Sequence, residues 1–131
     1  MKYLTPQDIL VLHSEIVDAT GGFHGVRDIG LLISATERPK TSFDGKELYK
    51  SIFEKAAVYL ESLGQYHVFT DGNKRTGIVA STRFLFLNGF ELKASNEEVE
   101  KFVLHVVMKR LEIPEIAKWF KDNASKKHAS R

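Results

Sequence analysis

Residues 73–87 carry a helical pattern that is apolar on nearly every side, with Ile78, Val79, Ala80, Phe84, Leu85, Phe86 and Leu87 spread round the axis. Such a helix must be buried on most sides, so the other elements have to pack around it. It opens directly out of a polar stretch, His67-Val68-Phe69-Thr70-Asp71-Gly72-Asn73-Lys74-Arg75. A histidine, a carboxylate, an amide and two cations thus meet at the start of a buried helix, where free backbone N–H groups and the positive dipole end already favour an anion. Gly72 allows a tight turn and a close approach to the backbone. Lys74 and Arg75 are disfavoured at a helix start unless an anion is present. The chemistry best served there is binding and transfer of a phosphate.

The rest of the chain reads as helical. Thr5-Pro6-Gln7-Asp8 gives an N-cap, a proline at the first helical position and an acid at the third, followed by Ile9, Leu10, Leu12, Ile16 and Val17 at helical spacing and a stop at Gly21-Gly22. Asp28 caps a second helix with Ile29, Leu31, Leu32 and Ala35, stopped by Pro39. Thr41 to Gly45 reads as a polar loop. The longest helix is expected from Lys46 to Leu63, with Leu48, Ile52, Phe53, Ala56, Tyr59, Leu60 and Leu63 inward, and the loop carrying the motif from Gly64 to Gly72. Asn88-Gly89 stops the motif helix. Phe90 to Lys93 is short and extended. Ser95-Asn96-Glu97-Glu98 is a capping box and Pro114 opens a last helix with Ile116, Ala117, Trp119 and Phe120. Residues from Lys121 to Arg131 are polar and basic and are expected to fray; the domain is bounded at 1–125, leaving 126–131 as a basic tail.

Composition excludes several classes. A chain of 131 residues holds one hydrophobic core. A net charge of +2 is too small to argue for direct nucleic-acid binding. With no cysteine, disulfides and thiolate zinc sites are out and a reducing compartment fits. No stretch reads as a signal peptide or a membrane span, so the cytoplasm is the expected location. No P-loop pattern occurs.

The nine-residue stretch resembles the Fic/Doc superfamily, whose motif reads His-x-Phe-x-Asp/Glu-Gly/Ala-Asn-x-Lys/Arg. His67, Phe69, Asp71, Gly72, Asn73, Lys74 and Arg75 all match, most closely the Doc (death-on-curing) branch. Thr5-Pro6, Leu12-His13, Gly21-Gly22, Arg27-Asp28, Gly30-Leu31 and Ala35 to Pro39 also follow the layout of Doc-like toxins. The resemblance implies an all-α, compact helical domain in which the motif loop opens a buried central helix. It also implies a toxin of a type II toxin–antitoxin system, a protein Ser/Thr phosphotransferase using ATP and Mg²⁺. The implied target is elongation factor Tu, with a block of translation, and the implied partner is a cognate antitoxin whose C-terminal segment folds over a groove beside the site. Fic enzymes that transfer AMP usually carry Gly where this chain has Lys74, and a further Arg where it has Ile78. Both departures look like the Doc branch, where ATP binds reversed and the γ-phosphate moves. No Glu here is followed by Gly or Asn, so the inhibitory Ser/Thr-x-x-x-Glu-Gly/Asn helix of many Fic proteins is absent.

In this reading His67 is the catalytic base, since an imidazole titrates near pH ~6.5. Asp71 is the Mg²⁺ ligand, hard cations choosing carboxylate oxygen; the plainer alternative is a turn aspartate. Gly72, Asn73, Lys74 and Arg75 bind nucleotide phosphates, with a helix cap as the second possibility for Asn73. Phe69 is read as a core anchor and Thr70 as inert. His13, His24, His105 and His128 carry no such context and are assigned no task. Two rival functions stay open: a Fic-type AMP transferase, and a catalytically silent module that uses its groove to hold a partner.

Overall fold

The computed structural model describes residues 1–127. Helix α1 (Pro6–Thr20) starts with Thr5 and Asp8 capping each other's backbone, as the sequence indicates, and ends at Gly21. Helix α2 (Ile29–Glu37) begins where Asp28 accepts from the Leu31 N–H, and passes into a 3₁₀ turn (Arg38–Lys40) that carries Pro39. Two-residue strands β1 (Ser42–Phe43) and β2 (Lys46–Glu47) then form a small antiparallel hairpin. Helices α3 (Ile52–Gln65) and α4 (Asn73–Leu87) are joined by the motif loop. Strand β3 (Phe90–Leu92) leads to α5 (Asn96–Lys109), whose capping box is Ser95 with Glu98, and to α6 (Ile113–Asn123) with Pro114 in its first turn. Strand β4 (Ala124–Lys126) closes the described chain by pairing antiparallel with β3. The domain is mostly α, with two minimal strand pairs.

The pair α3 and α4 is packed more extensively than any other. Ile78, Ala80, Phe84 and Leu85 of α4 share one core with Ala56, Tyr59, Leu60 and Leu63 of α3. Their separation is set by glycine: a Cβ on Gly77 would lie 3.2 Å from the Gly64 nitrogen and 3.2 Å from the Leu60 carbonyl oxygen. Ser81 spans the same seam, donating to the Ala56 carbonyl at 2.8 Å. Burial pushes the Tyr59 phenol up to about 12, so it stays neutral and accepts the Leu4 N–H at 3.0 Å. On the far side α6 covers α3 with Ile116, Ala117 and Phe120, and Phe102 of α5 stacks on Trp119 at 3.8 Å.

Three expectations need correction. Helix α3 starts at Ile52, not Lys46, because Ser51 and Glu54 form a capping box that stops the pattern from running further back. At its other end α3 runs on to Gln65, so Gly64, expected to open the loop, lies inside it, while Leu48, expected inward, is 56% exposed. The loop from Thr41 to Gly45 holds a hairpin turn instead: Asp44 (φ 52°) and Gly45 (φ 77°) both take positive φ, the requirement of a tight type I′ turn. Lys55, 1% exposed, organises this segment by donating to the carbonyls of Pro39 (3.2 Å) and Tyr49 (2.6 Å) and to Glu47 (3.0 Å). Finally, the stretch from Lys121, expected to fray, is ordered as far as it is described: α6 runs to Asn123 and β4 follows it. Lys126 pairs with Phe90, the Lys127 N–H donates to Gly89 O at 2.8 Å, and Lys127 Nζ lies 3.7 Å from the Phe86 ring centroid. The rest of that stretch, His128 included, lies outside the described residues.

Branched bulk at the α3–α4 seam should force the helices apart. Gly77→Val is expected to lower the unfolding free energy by about 1–3 kcal/mol, the usual cost of overpacking, read from urea denaturation of the free protein.

Candidate active site

The motif loop, residues 66–72, leaves α3 at Tyr66 and enters α4 through Gly72, which caps the helix in the left-handed conformation (φ 74°). No side chain caps α4 and no acid lies in its first turn. The free N–H groups at that end therefore have no built-in acceptor. Lys74 and Arg75 are exposed there, and among the described residues neither forms an ion pair. Two cations at the positive end of a helix, neither in an ion pair among the described residues, are disfavoured by the dipole and by each other. Successive helical residues point about 100° apart, so the two are aimed differently.

Inside the loop Val68 and Phe69 are fully buried, while His67, Thr70 and Asp71 are exposed. Phe69 is the anchor the sequence indicates. Asn73 is turned inward onto it: its Oδ1 accepts the Phe69 N–H at 2.9 Å and its Nδ2 donates to the Phe69 carbonyl at 3.0 Å. The amide thus closes the loop as a backbone-like pair and is not the N-cap, a place taken by Gly72. One Nδ2 hydrogen remains for a ligand.

A second segment, the α1–α2 connection, straps the loop from outside. Val26 and Phe69 form an isolated antiparallel bridge. The Arg27 and Asp28 N–H groups donate to Val68 O at 2.9 and 3.1 Å, and Thr70 N–H donates to Gly25 O at 3.0 Å. The Arg27 side chain donates to the carbonyls of His67 (2.6 Å) and Tyr66 (3.3 Å). His67 needs such a hold, since its φ of 49° is a costly conformation for a residue with a Cβ. Its own imidazole has no hydrogen-bond partner among the described residues, which leaves it free for a substrate.

The Asp71 carboxylate is fixed at both oxygens. Oδ1 accepts the Gly72 N–H at 2.9 Å and Oδ2 accepts the Phe23 N–H at 3.2 Å. Gly22 makes room for this, since a Cβ there would lie 2.6 Å from Oδ2. Each oxygen keeps lone pairs free. Among the described residues no group of three or more His, Cys, Asp or Glu could enclose a metal. One exposed carboxylate fits a Mg²⁺ held chiefly by ligand phosphates and water, the usual arrangement for that ion.

The sequence reading missed His13. It is 3% exposed on α1, its Nε2 lies 2.8 Å from Asp71 O, and its ring stacks on Phe69 at 3.8 Å and 7°. The signal was present: Ile9, His13 and Val17 repeat every four residues and form the buried stripe of α1, so a polar ring on that stripe called for a partner. His24 pairs instead with Asp18 at 2.8 Å, and His105 is exposed.

Beyond Arg75 the inner side of α4 borders a groove of about 570 Å³ between α1, α4, β3 and α5, lined by Leu12, Ile78, Val79, Phe86, Leu92 and Val99 among others. Among the described residues no helix is long and apolar enough to cross a membrane.

The sequence profile of the Fic/DOC family matches residues 3–85. A protein of Mycolicibacterium smegmatis named Toxin Doc is 42% identical over 93 residues, 71% of this chain and 69% of its own. The Protein kinase doc of Escherichia phage P1 is 30% identical over 97 residues, 74% of this chain and 76% of its own. The chain belongs to the Fic/DOC family.

The clasp of Asn73 on Phe69 makes a prediction that needs no ligand. Asn73→Ala leaves the Phe69 N–H and carbonyl unpaired in a buried setting. It should destabilise the free protein by about 1–3 kcal/mol and speed hydrogen exchange at Phe69 and Thr70, as measured by chemical denaturation and amide NMR.

Proposed function

We propose, with membership of the Fic/DOC family as premise, that this chain is a Doc-type toxin that transfers the γ-phosphate of ATP to a Ser or Thr hydroxyl of a protein. The observation that carries this is the pair of exposed, unpaired cations, Lys74 and Arg75, at the uncapped positive end of α4. Each cation there is disfavoured by about 0.3–1 kcal/mol, a cost that a bound anion removes, and a phosphate chain supplies several charges. The names of the two relatives, a toxin and a protein kinase, support the same reading.

Each residue then has a task. His67 takes the hydroxyl proton as the hydroxyl oxygen bonds to the γ-phosphorus and the bond from that phosphorus to the β–γ bridging oxygen breaks, releasing ADP. Lys74 and Arg75, with the first free N–H groups of α4 and the spare hydrogen of Asn73, hold phosphate oxygens and offset the charge that develops on them. Gly72 lets the phosphates reach the backbone. Asp71 would hold Mg²⁺, which when bound neutralises phosphate charge. Transfer of the γ-phosphate is favoured over AMP transfer by two positions. Lys74 puts a long cation where AMP transferases have Gly, and Ile78, where they have a second Arg, is buried against the groove.

The same proposal places the protein in a type II toxin–antitoxin pair in the cytoplasm, acting on elongation factor Tu and thereby blocking translation. An antitoxin segment that folds on binding would lie in the apolar groove next to Ile78 and cover the site from that side. Neither nucleic acid nor membrane is needed.

The test uses elongation factor Tu, Mg²⁺ and ATP labelled on the γ- or the α-phosphate. Label is expected from the γ position alone, and His67→Ala should reduce transfer by about 10²–10⁴-fold, the usual range for a positioned base. Label from the α position would make the protein an AMP transferase. A pure, folded protein that binds no nucleotide and does not slow growth when expressed alone would be a silent binding module.

A further inference from the structure

We propose that His13 is a positioning residue that sets the direction of the Asp71 carboxylate by locking the Asp71–Gly72 peptide. The inference rests on the reading of Asp71 as the cation ligand.

Gly72 sits at φ 74° and meets nothing closer than 3.7 Å around its Cβ position. Glycine moves between such conformations at little cost. Gly72 is held on its far side, its carbonyl accepting from the Thr76 N–H at 3.0 Å and Oγ1 at 2.7 Å, but the plane of the peptide before it can still turn about φ. The needed restraint comes from α1. The Asp71 carbonyl lies 2.8 Å from His13 Nε2. A carbonyl oxygen only accepts, so Nε2 carries the hydrogen and donates it. Because the peptide is planar and trans, fixing its C=O toward α1 aims the Gly72 N–H the opposite way. That N–H donates to Asp71 Oδ1 at 2.9 Å. One bond from a buried ring thus reaches the carboxylate through a rigid plane.

The ring that makes this bond cannot drift. It is 3% exposed on the buried stripe of α1 and lies flat on Phe69 at 3.8 Å. Phe69 is in turn closed onto Asn73 by two hydrogen bonds. The atoms nearest the Gly72 Cβ position are His13 Nε2 (3.7 Å), Val17 Cγ2 (3.7 Å) and His13 Cδ2 (3.8 Å). The imidazole therefore touches two motif residues at once, the Phe69 ring and the Asp71 carbonyl, and a side chain at position 72 would meet it as well. At the other carboxylate oxygen the Phe23 N–H supplies the second restraint, 3.2 Å away, on the strap that leaves α1 at Gly21. Helix α1 thereby aims both oxygens of Asp71, one through its buried face and one through its end.

The test separates positioning from packing. His13→Phe keeps the ring and its stack on Phe69 but removes the donor, whereas His13→Gln restores an N–H at the end of a flexible chain. Partners that orient a metal ligand typically affect affinity 10–100-fold. His13→Phe should therefore raise the Mg²⁺ concentration that half-saturates ATP binding by about tenfold, with ATP affinity in the absence of Mg²⁺ unchanged and His13→Gln recovering most of the loss. Calorimetry reads both quantities, and the metal-free protein gives an independent signal, faster hydrogen exchange at the Gly72 amide in His13→Phe and not in His13→Gln. Mg²⁺ dependence and Gly72 exchange like those of the wild type in His13→Phe would overturn the inference. So would an equal loss of metal-free ATP affinity in both variants, which would mean packing alone. If the wild type shows no Mg²⁺-dependent ATP binding, the cation reading of Asp71 fails, and Gly72 exchange still decides the role of His13. Should His13→Phe not fold, the ring of the wild type decides: its nitrogen NMR shifts must place a hydrogen on Nε2, and a bare Nε2 overturns the inference.

Discussion

Helices α3 and α4 touch backbone to backbone, and everything else in the fold is arranged around that contact. A Cβ on Gly77 would crowd the Gly64 nitrogen and the Leu60 carbonyl, each at 3.2 Å. Close approach removes water from both helices along the seam and gives their flanking side chains, Tyr59 against Phe84 at 5.1 Å among them, a dense common core. It also fixes the end of α3 relative to the start of α4. Residues 66–72 must bridge two rigid points, and the conformations open to them are few.

Rigid ends alone do not order a polar loop, however, and the site shows how the remainder is achieved. The loop buries only Val68 and Phe69, and uses their backbone as a third partner for elements on both sides. Asn73 closes on Phe69 from within α4, while Gly25 to Asp28 pair with the same short stretch from outside. The groups left exposed are those to which the proposed function gives tasks: an imidazole, a carboxylate and two cations. Their backbone is over-determined while their side chains stay free, an arrangement that lets a site hold a residue such as His67 at positive φ without losing order.

What was legible in the sequence was mostly local. The caps of α1, α2 and α5 are satisfied by side chains three residues away, so they could be read directly. The start of α3 was as local a signal, but Leu48 happens to continue the apolar spacing of Ile52 and masked the box at Ser51. Asp44-Gly45 is a strong hairpin pair, obscured because the strands it joins are two residues long and bury nothing. The motif stood out in the sequence because its cations oppose the helix dipole, and the structure leaves them exposed and without ion pairs among the described residues. The contacts of His13 and Gly22 with Asp71 join residues about fifty positions apart, and no periodicity reports such pairings. For the same reason Gly22 read as nothing more than the end of a helix.

The ends of the described chain meet at one pole of α4. The Lys2 backbone exchanges two hydrogen bonds with Asn88, and Lys127 is bound to Gly89 and lies over Phe86. A helix of 15 residues is about 22 Å long, so the pole that gathers the ends is separated from the pole that carries the motif by the length of the domain. A fluorophore or a surface tether attached at Lys2 or Lys127 would therefore sit at the pole away from the motif. The molecule can be immobilised or followed in a cell with the motif loop turned outward.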